Sequence, residues 1–324
     1  MTMDYVHLGR SGLKVSRLCL GTMNFGTRTE PPVAHRIMDQ ALEMGINFFD
    51  TANVYGRAVR IGLTEEVVGE WLSQGDHRQR VVLATKVFAR TSDWPNEGGL
   101  SARHIISACE ASLRRLRTDH IDLYQMHHVD RATPLEETLG ALELLRQQGK
   151  VIYIGSSNFA GWHLARFQEQ ARARGAQGLV SEQSLYNLLS REVELEVLPA
   201  CREYGIGMIP WSPLASGILG GTPGADHVGR RTDAQARERG AKHSDQLAAY
   251  ERLCQEVGSQ PSEVALAWLL AQAGVTAPII GPRTEAQLTQ AAQCLELTLG
   301  DAELTRLDQI FPGPGGAAPE AYAW

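Results

Sequence analysis

The sequence predicts an α/β fold, a (β/α)8 TIM barrel fronted by a β-hairpin and completed by extra C-terminal helices and loops. Three observations carry that expectation. Short apolar runs recur eight times, near Leu18 to Leu20, Ile46 to Phe49, Val81 to Ala84, Ile121 to Tyr124, Val151 to Ile154, Leu179 to Ser181, Ile206 to Ile209 and Pro278 to Ile280. Segments with helical spacing lie between them, and strand, helix, strand repeated throughout implies parallel strands joined by right-handed crossovers. Finally, residues able to do chemistry stand at successive strand ends, where a parallel barrel gathers them at one mouth. An open doubly wound sheet is disfavoured, because the first strand runs into Gly21-Thr22-Met23-Asn24-Phe25-Gly26 and not into a compact G-x-G-x-x-G turn opening a helix.

In chain order, Tyr5 to Leu8 and Leu13 to Val15 flank Gly9-Arg10-Ser11-Gly12 and read as a hairpin placed to plug the closed end of the barrel. Ile105, Cys109, Leu113 and Leu116 form a helical stripe behind Ser101, and Leu135, Leu139, Leu142 and Leu145 form another. For the second helix, Thr133 is expected to cap, Pro134 to take the first helical position and Glu136 to complete a capping box, with Gly149 as the stop. The longest interval, Pro210 to Pro278, holds the Gly- and Arg-rich stretch 216–243 before helical patterns at Asp245 to Val257 and Pro261 to Ala273. That stretch reads either as a mobile lid on the catalytic side or as a disordered excursion. The Pro/Gly-rich tail from Pro312 ends in Tyr322 and Trp324, which either dock over the pocket or fray.

A chain of 324 residues fits one barrel domain spanning 1–324, and 43% hydrophobic with 21% charged residues is ordinary globular composition. The net charge of −6 gives no general attraction for nucleic acid or anionic lipid. Five widely spaced cysteines without a C-x-x-C pair argue against a disulfide framework and a zinc site, and fit a reducing cytoplasm. The opening residues carry no apolar signal segment and no stretch reaches membrane-span length, so no membrane partner is expected.

The sharpest chemistry lies at Asp50, Tyr55, Lys86 and His127. Reducing a carbonyl requires hydride at carbon and a proton at oxygen. A phenol is a poor acid at neutral pH unless a neighbouring ammonium stabilises the phenolate, so Tyr55 and Lys86 suit each other. Asp50 would hold Lys86 ionised, and His127 would bond the substrate oxygen. Singly, each has a plainer role: an ion pair, a loop tyrosine, a histidine at a strand end. Together, at successive strand ends, they point to catalysis. A metal site at His127 and His128 is disfavoured, since neighbouring residues diverge and no further ligand has suitable spacing.

The run Gly45-Ile46-Asn47-Phe48-Phe49-Asp50-Thr51-Ala52-Asn53-Val54-Tyr55-Gly56, then Ala84-Thr85-Lys86, then Asp122-Leu123-Tyr124-Gln125-Met126-His127-His128, resembles the aldo-keto reductase superfamily. The likeness extends from Leu8-Gly9-Arg10-Ser11-Gly12-Leu13 to Ile279-Ile280-Gly281-Pro282-Arg283. It implies NADPH-dependent carbonyl reduction, with Tyr55 as proton donor, Lys86 and Asp50 tuning it, and His127, not the neighbouring His128, orienting the carbonyl. It also implies cofactor contacts from Gly21, Thr22 and Met23, and carboxamide binding by Ser157, Asn158 and Gln183. Stacking and pyrophosphate contacts would come from Trp211, Ser212, Pro213, Leu214, Ser216 and Gly217, and binding of the adenosine 2′-phosphate end from Gly281, Arg283, Gln287 and Gln290. Plainer readings are that Ser157 and Asn158 cap a helix, that Trp211 is core, and that Arg283 is a surface residue. One departure is Ala291, where relatives often carry an asparagine for adenine. Gln290 or the cluster Arg230, Arg231, Arg237 and Arg239 would have to compensate.

The expected substrate is a small-molecule aldehyde or ketone. An alternative is keto or enoyl reduction of nucleotide-linked deoxysugars, because Tyr124-Gln125-Met126-His127-His128-Val129-Asp130, Ser156-Ser157-Asn158-Phe159-Ala160-Gly161-Trp162 and the ending Ala321-Tyr322-Ala323-Trp324 are similar to bacterial sugar-nucleotide reductases. A third reading, from the same fold, is a redox-sensing binding protein like the channel β-subunits. Substrate, stereochemistry, direction and oligomeric state are not written in these motifs.

Overall fold

The computed structural model describes residues 3–221, 238 and 240–323, with 322 and 323 described by backbone alone. Two strands, β1 (Tyr5–His7) and β2 (Lys14–Ser16), pair antiparallel as the expected hairpin. Eight more follow: β3 (Cys19–Gly21), β4 (Phe48–Asp50), β5 (Val82–Val87), β6 (Ile121–Met126), β7 (Val151–Ser157), β8 (Leu179–Leu185), β9 (Gly207–Trp211) and β10 (Ile279–Ile280). All run parallel in the order β10-β3-β4-β5-β6-β7-β8-β9. The ring closes between Met208 of β9 and Val275, where Met208 N donates to Gly274 O at 3.1 Å and Thr276 N donates to Met208 O at 2.8 Å. Arg17 fastens the same seam, its guanidinium donating to the carbonyls of Leu270, Val275 and Thr276.

The helices on the outside are α1 (Pro31–Glu43), α2 (Leu63–Leu72), α3 (His77–Arg80), α4 (Ala102–Leu116), α5 (Leu135–Gln147), α6 (Gly161–Ala173), α7 (Val197–Tyr204), α8 (Ser244–Val257), α9 (Pro261–Ala271), α10 (Glu285–Ala292), α11 (Asp301–Ile310) and the short α12 (Glu320–Ala323). None is long and apolar enough to cross a membrane. The 216–243 stretch begins with a 3-10 turn at Ala215–Gly220; residues 222–237 and 239 lie outside the described residues, and with them Arg230, Arg231, Arg237 and Arg239. Trp324 and the side chain of Tyr322 lie outside as well, although the tail is anchored where Ala318 N donates to Leu195 O at 2.9 Å.

Period-two geometry explains which side chains enter the barrel. In β4, Phe48 packs in the interior with Leu8, Val15 and Ala84, whereas Phe49 faces the helices and stacks on Trp71 at 5.4 Å. Asp50 therefore returns to the interior. In β5 the same alternation sends Val82, Ala84 and Lys86 inward while Leu83 and Val87 pack outward, and in β6 it sends Leu123 and Gln125 inward. Strands covered on both faces must be apolar almost throughout, which is why they read as continuous runs. Leu8 and Val15 of the hairpin are fully buried against the first residues of β3, β4 and β5, so the hairpin plugs the N-terminal end.

Ser101 caps α4, accepting from His104 N at 3.3 Å, and Gly149 ends α5 as expected with φ of 73°. The capping box on α5 does not form. Asp130 draws the Thr133 hydroxyl to itself at 2.8 Å, and Pro134 stays extended (φ −57°, ψ 134°), so Pro134 itself becomes the N-cap. Glu136 instead accepts from Gln170 at 2.6 Å, and Glu137 caps the neighbouring helix by accepting from Ala102 N at 2.9 Å.

Candidate active site

Parallel register aligns the strand ends: Gly21 lies opposite Asp50, Asp50 opposite Ala84, and Lys86 opposite Gln125. The inward residues of the last layer are consequently polar. The Lys86 ammonium donates to Asp50 Oδ2 at 2.6 Å, Thr51 O at 2.8 Å and Tyr55 Oη at 3.2 Å. An ammonium has three protons and no acceptor, so these three partners satisfy it. Asp50 is saturated on its other oxygen, Oδ1 accepting from Gln125 Nε2 at 3.0 Å and Gln183 Nε2 at 2.9 Å. Complete burial works against the Lys86 charge, but the Asp50 carboxylate and Tyr55 outweigh it and hold the lysine above its ordinary value.

The direction of the contact with Tyr55 follows. Because the ammonium can only donate, the phenol oxygen accepts from it and the phenol O–H is directed to another acceptor. His127 stands edge-on to the Tyr55 ring, with centroids 5.9 Å apart and planes at 78°. Burial, then the Lys86 charge, then His128 push its imidazole down to about 3, so it is neutral at physiological pH. Its Nδ1 is buried with no protein partner among the described residues. His128 turns away, with its ring against Phe88 at 5.4 Å and its Nδ1 donating to Val129 O. Both histidines lie just past β6, so the divergence belongs to the bend and not to strand alternation.

Asp50, Tyr55 and His127 line a cavity of about 560 Å³, with Lys86 directly behind them. Gly21, Thr22 and Met23 form one wall. Ser157, Asn158 and Gln183 form the next, and neither Ser157 nor Asn158 caps α6, whose N-cap is Ala160. Ser157 Oγ donates to Gln183 O at 2.8 Å. Asn158, in the left-handed region at φ 61°, donates to His127 O at 3.1 Å and accepts from Trp211 Nε1 at 3.0 Å. Gln183, expected with Ser157 and Asn158 to bond a carboxamide, also belongs to the Asp50 network through its amide nitrogen.

Trp211, Ser212, Pro213, Leu214, Ser216 and Gly217 line the same cavity, with left-handed φ at Ser212 (55°), Ser216 (62°) and Gly217 (94°). Left-handed serines cost on the order of 1 kcal/mol or more each and persist where the surroundings impose them. At the far end stand Gly281, Arg283, Gln287 and Gln290, with Ala291 beside them. Arg283 N donates to Gln287 Oε1 at 2.8 Å and Thr284 Oγ1 accepts from Gln287 N at 3.2 Å, which fixes the start of α10 against the cavity.

Sequence reasoning missed Gln125, although its inward parity with Leu123 was available. It also missed Asn24, Gly220, Gly221 and Ser262, which line the cavity. Ser262, near the start of α9, has no local motif to mark it.

A (β/α)8 barrel with a polar strand-end layer under one cavity belongs to a fold that hosts many chemistries, and sequence comparison narrows the class. The sequence model of the Aldo/keto reductase family, a family of oxidoreductases, matches residues 17–311, and the chain belongs to that family. Over 99% of the chain and the full length of the relative, it is 54% identical to an uncharacterized oxidoreductase, YrpG, of Bacillus subtilis. It is 34% identical to versiconal hemiacetal acetate reductase of Aspergillus parasiticus over 95% of the chain and 97% of that protein. A probable voltage-gated potassium channel subunit beta of Arabidopsis thaliana is 32% identical over 99% of the chain and its own full length.

Proposed function

We propose that the protein is an NADPH-dependent reductase of aldehyde and ketone carbonyls. The observation that carries this reading is the Lys86 ammonium, held by Asp50 at 2.6 Å and donating to the Tyr55 phenol at 3.2 Å beside a neutral His127 at the floor of one cavity. The residues present fit a dinucleotide. Gly217, Gly220, Gly221 and Gly281 leave parts of the lining as bare backbone, and added Cβ atoms at Gly220 and Gly281 would meet nothing closer than 3.6 Å, so those positions border open space. Arg283 at the start of α10 suits a phosphate, both by its planar fork and by the helix dipole. Ser157, Asn158 and Gln183 suit a carboxamide, and Trp211 offers an aromatic face.

Reduced nicotinamide, when bound, supplies the hydride that the carbonyl carbon requires. The chain's own groups handle the oxygen. His127, neutral, donates one hydrogen bond to it and orients the carbonyl. Tyr55 passes its phenol proton to the oxygen as negative charge develops there. Lys86 stabilises the phenolate left behind, and Asp50 keeps Lys86 charged while Gln125 and Gln183 hold Asp50 in place. Purified protein should oxidise NADPH when offered simple aldehydes, diketones or nucleotide sugars, and the panel also selects among these substrates. NADPH oxidation independent of every carbonyl would reject the reading. The likeness to a channel subunit beta supports a second reading, a cofactor-binding protein that senses redox state. Protein that retains NADPH but turns over no carbonyl would select it.

A further inference from the structure

One buried acid stands outside the chemistry described so far. Glu182, one residue before Gln183 in β8, is fully buried. Its Oε1 accepts from Ser184 Oγ at 2.6 Å and from the backbone amide of Phe159 at 3.0 Å, and its Oε2 accepts from Ser156 Oγ. Among the described residues no lysine, arginine or histidine pairs with it. The titratable group facing it is Cys201 of α7, whose thiol burial and then Glu182 keep protonated.

The Phe159 amide is the end of the turn that carries Ser157 and Asn158. That turn is demanding: Asn158 sits at φ 61°, and its side chain bridges His127 O and Trp211 Nε1. A carboxylate grips an amide more strongly than a neutral oxygen does. We propose that Glu182 is a positioning residue for the dinucleotide, clamping the Ser157 to Phe159 turn when ionised and loosening it on taking up a proton. This rests on the cofactor reading above.

The site is built to hold either state. When Glu182 is protonated, its O–H can donate to Ser156 Oγ, whose own proton then turns to Ser181 O, already 3.4 Å away. No donor is stranded. Burial supplies the tendency toward the neutral form and pushes the carboxyl up to about 7, against the pull of Ser156, Ser184 and the backbone amides. The change of state therefore falls in the physiological range.

Glu182→Gln approximates the neutral form: its oxygen keeps Ser184 and Phe159 and one N–H donates to Ser156, with one donor more than the protonated acid has. Titrating full-length protein with NADPH, followed by tryptophan quenching at about pH 6 and about pH 8, should show wild-type affinity falling by about 3- to 10-fold toward the lower pH, the size expected for losing charge assistance in one hydrogen bond. E182Q should bind at both pH values as weakly as wild type does at the lower one, apart from the contribution of the 2′-phosphate's own titration, common to both. Ser184→Ala, which removes a donor to the charged form, should move the wild-type inflection to higher pH. An E182Q profile equal to wild type, or an inflection unmoved in S184A, overturns the inference while leaving the function standing. Wild-type protein that binds no NADPH at either pH overturns the functional reading and this inference with it.

Discussion

Replacing Asp50 with asparagine strains the polar layer at its centre. The carboxylate accepts three hydrogen bonds, from Lys86 at 2.6 Å, Gln125 at 3.0 Å and Gln183 at 2.9 Å. An asparagine of the same shape keeps one acceptor oxygen, so its NH2 must face either the ammonium or two amide NH2 groups. Lys86 is fully buried, and Asp50 is its carboxylate partner among the described residues. Removing one partner of a buried ion pair costs about 3–5 kcal/mol, roughly 100- to 4,000-fold in the folding equilibrium. In the wild type the raised Lys86 contributes stability that is complete below its unfolded value and is lost as pH rises through the folded one. In Asp50→Asn Tyr55 remains but the carboxylate that opposes burial most strongly is gone, so Lys86 sheds its proton more readily and the deficit shrinks as pH rises. Urea unfolding at about pH 7 and about pH 9 measures this. The double variant Asp50→Asn, Lys86→Met should regain at least half of the lost stability without regaining turnover. A single-variant loss below about 1 kcal/mol, or a double variant no more stable than the single, would mean that Asp50 does not sustain the buried Lys86 charge.

Two further outcomes can be measured. Glu182 is held up to about 7 against an ordinary 4.5, so between those values the folded protein binds more protons than the unfolded chain and stability falls as pH rises, by about 3 kcal/mol across the window. Thermal unfolding of Glu182→Gln should lack that slope, and curves parallel to wild type would contradict the assignment. Arg283→Ala should weaken NADPH binding by about 10- to 100-fold, the worth of charge-assisted bonds to one phosphate, and weaken NADH little. Equal losses for both nucleotides would remove the 2′-phosphate role.

The barrel was legible because its strands are apolar on both faces and its helices are not. The site was legible because period two forces Asp50 and Lys86 inward once Phe48 and Ala84 are known to be core. What escaped was decided by tertiary contacts. Thr133 reads as a cap until Asp130, three residues earlier, claims its hydroxyl. Gln183 reads as a ligand-facing amide, yet its nitrogen is engaged by a carboxylate 133 positions earlier in the chain. Glu182 carries no local mark of burial, since a glutamate beside a glutamine ordinarily signals solvent, and only the tertiary cover over β8 reverses that.

In the proposed reaction the Tyr55 phenol delivers the proton, its O–H turned outward because Lys86 occupies the phenol oxygen from behind. Tyr55→Phe removes one oxygen and nothing else from the cavity. NADPH affinity, measured by fluorescence, should stay within about twofold while turnover of the best carbonyl substrate falls by about 100- to 10,000-fold. Turnover that survives the substitution at the wild-type rate would contradict the assignment.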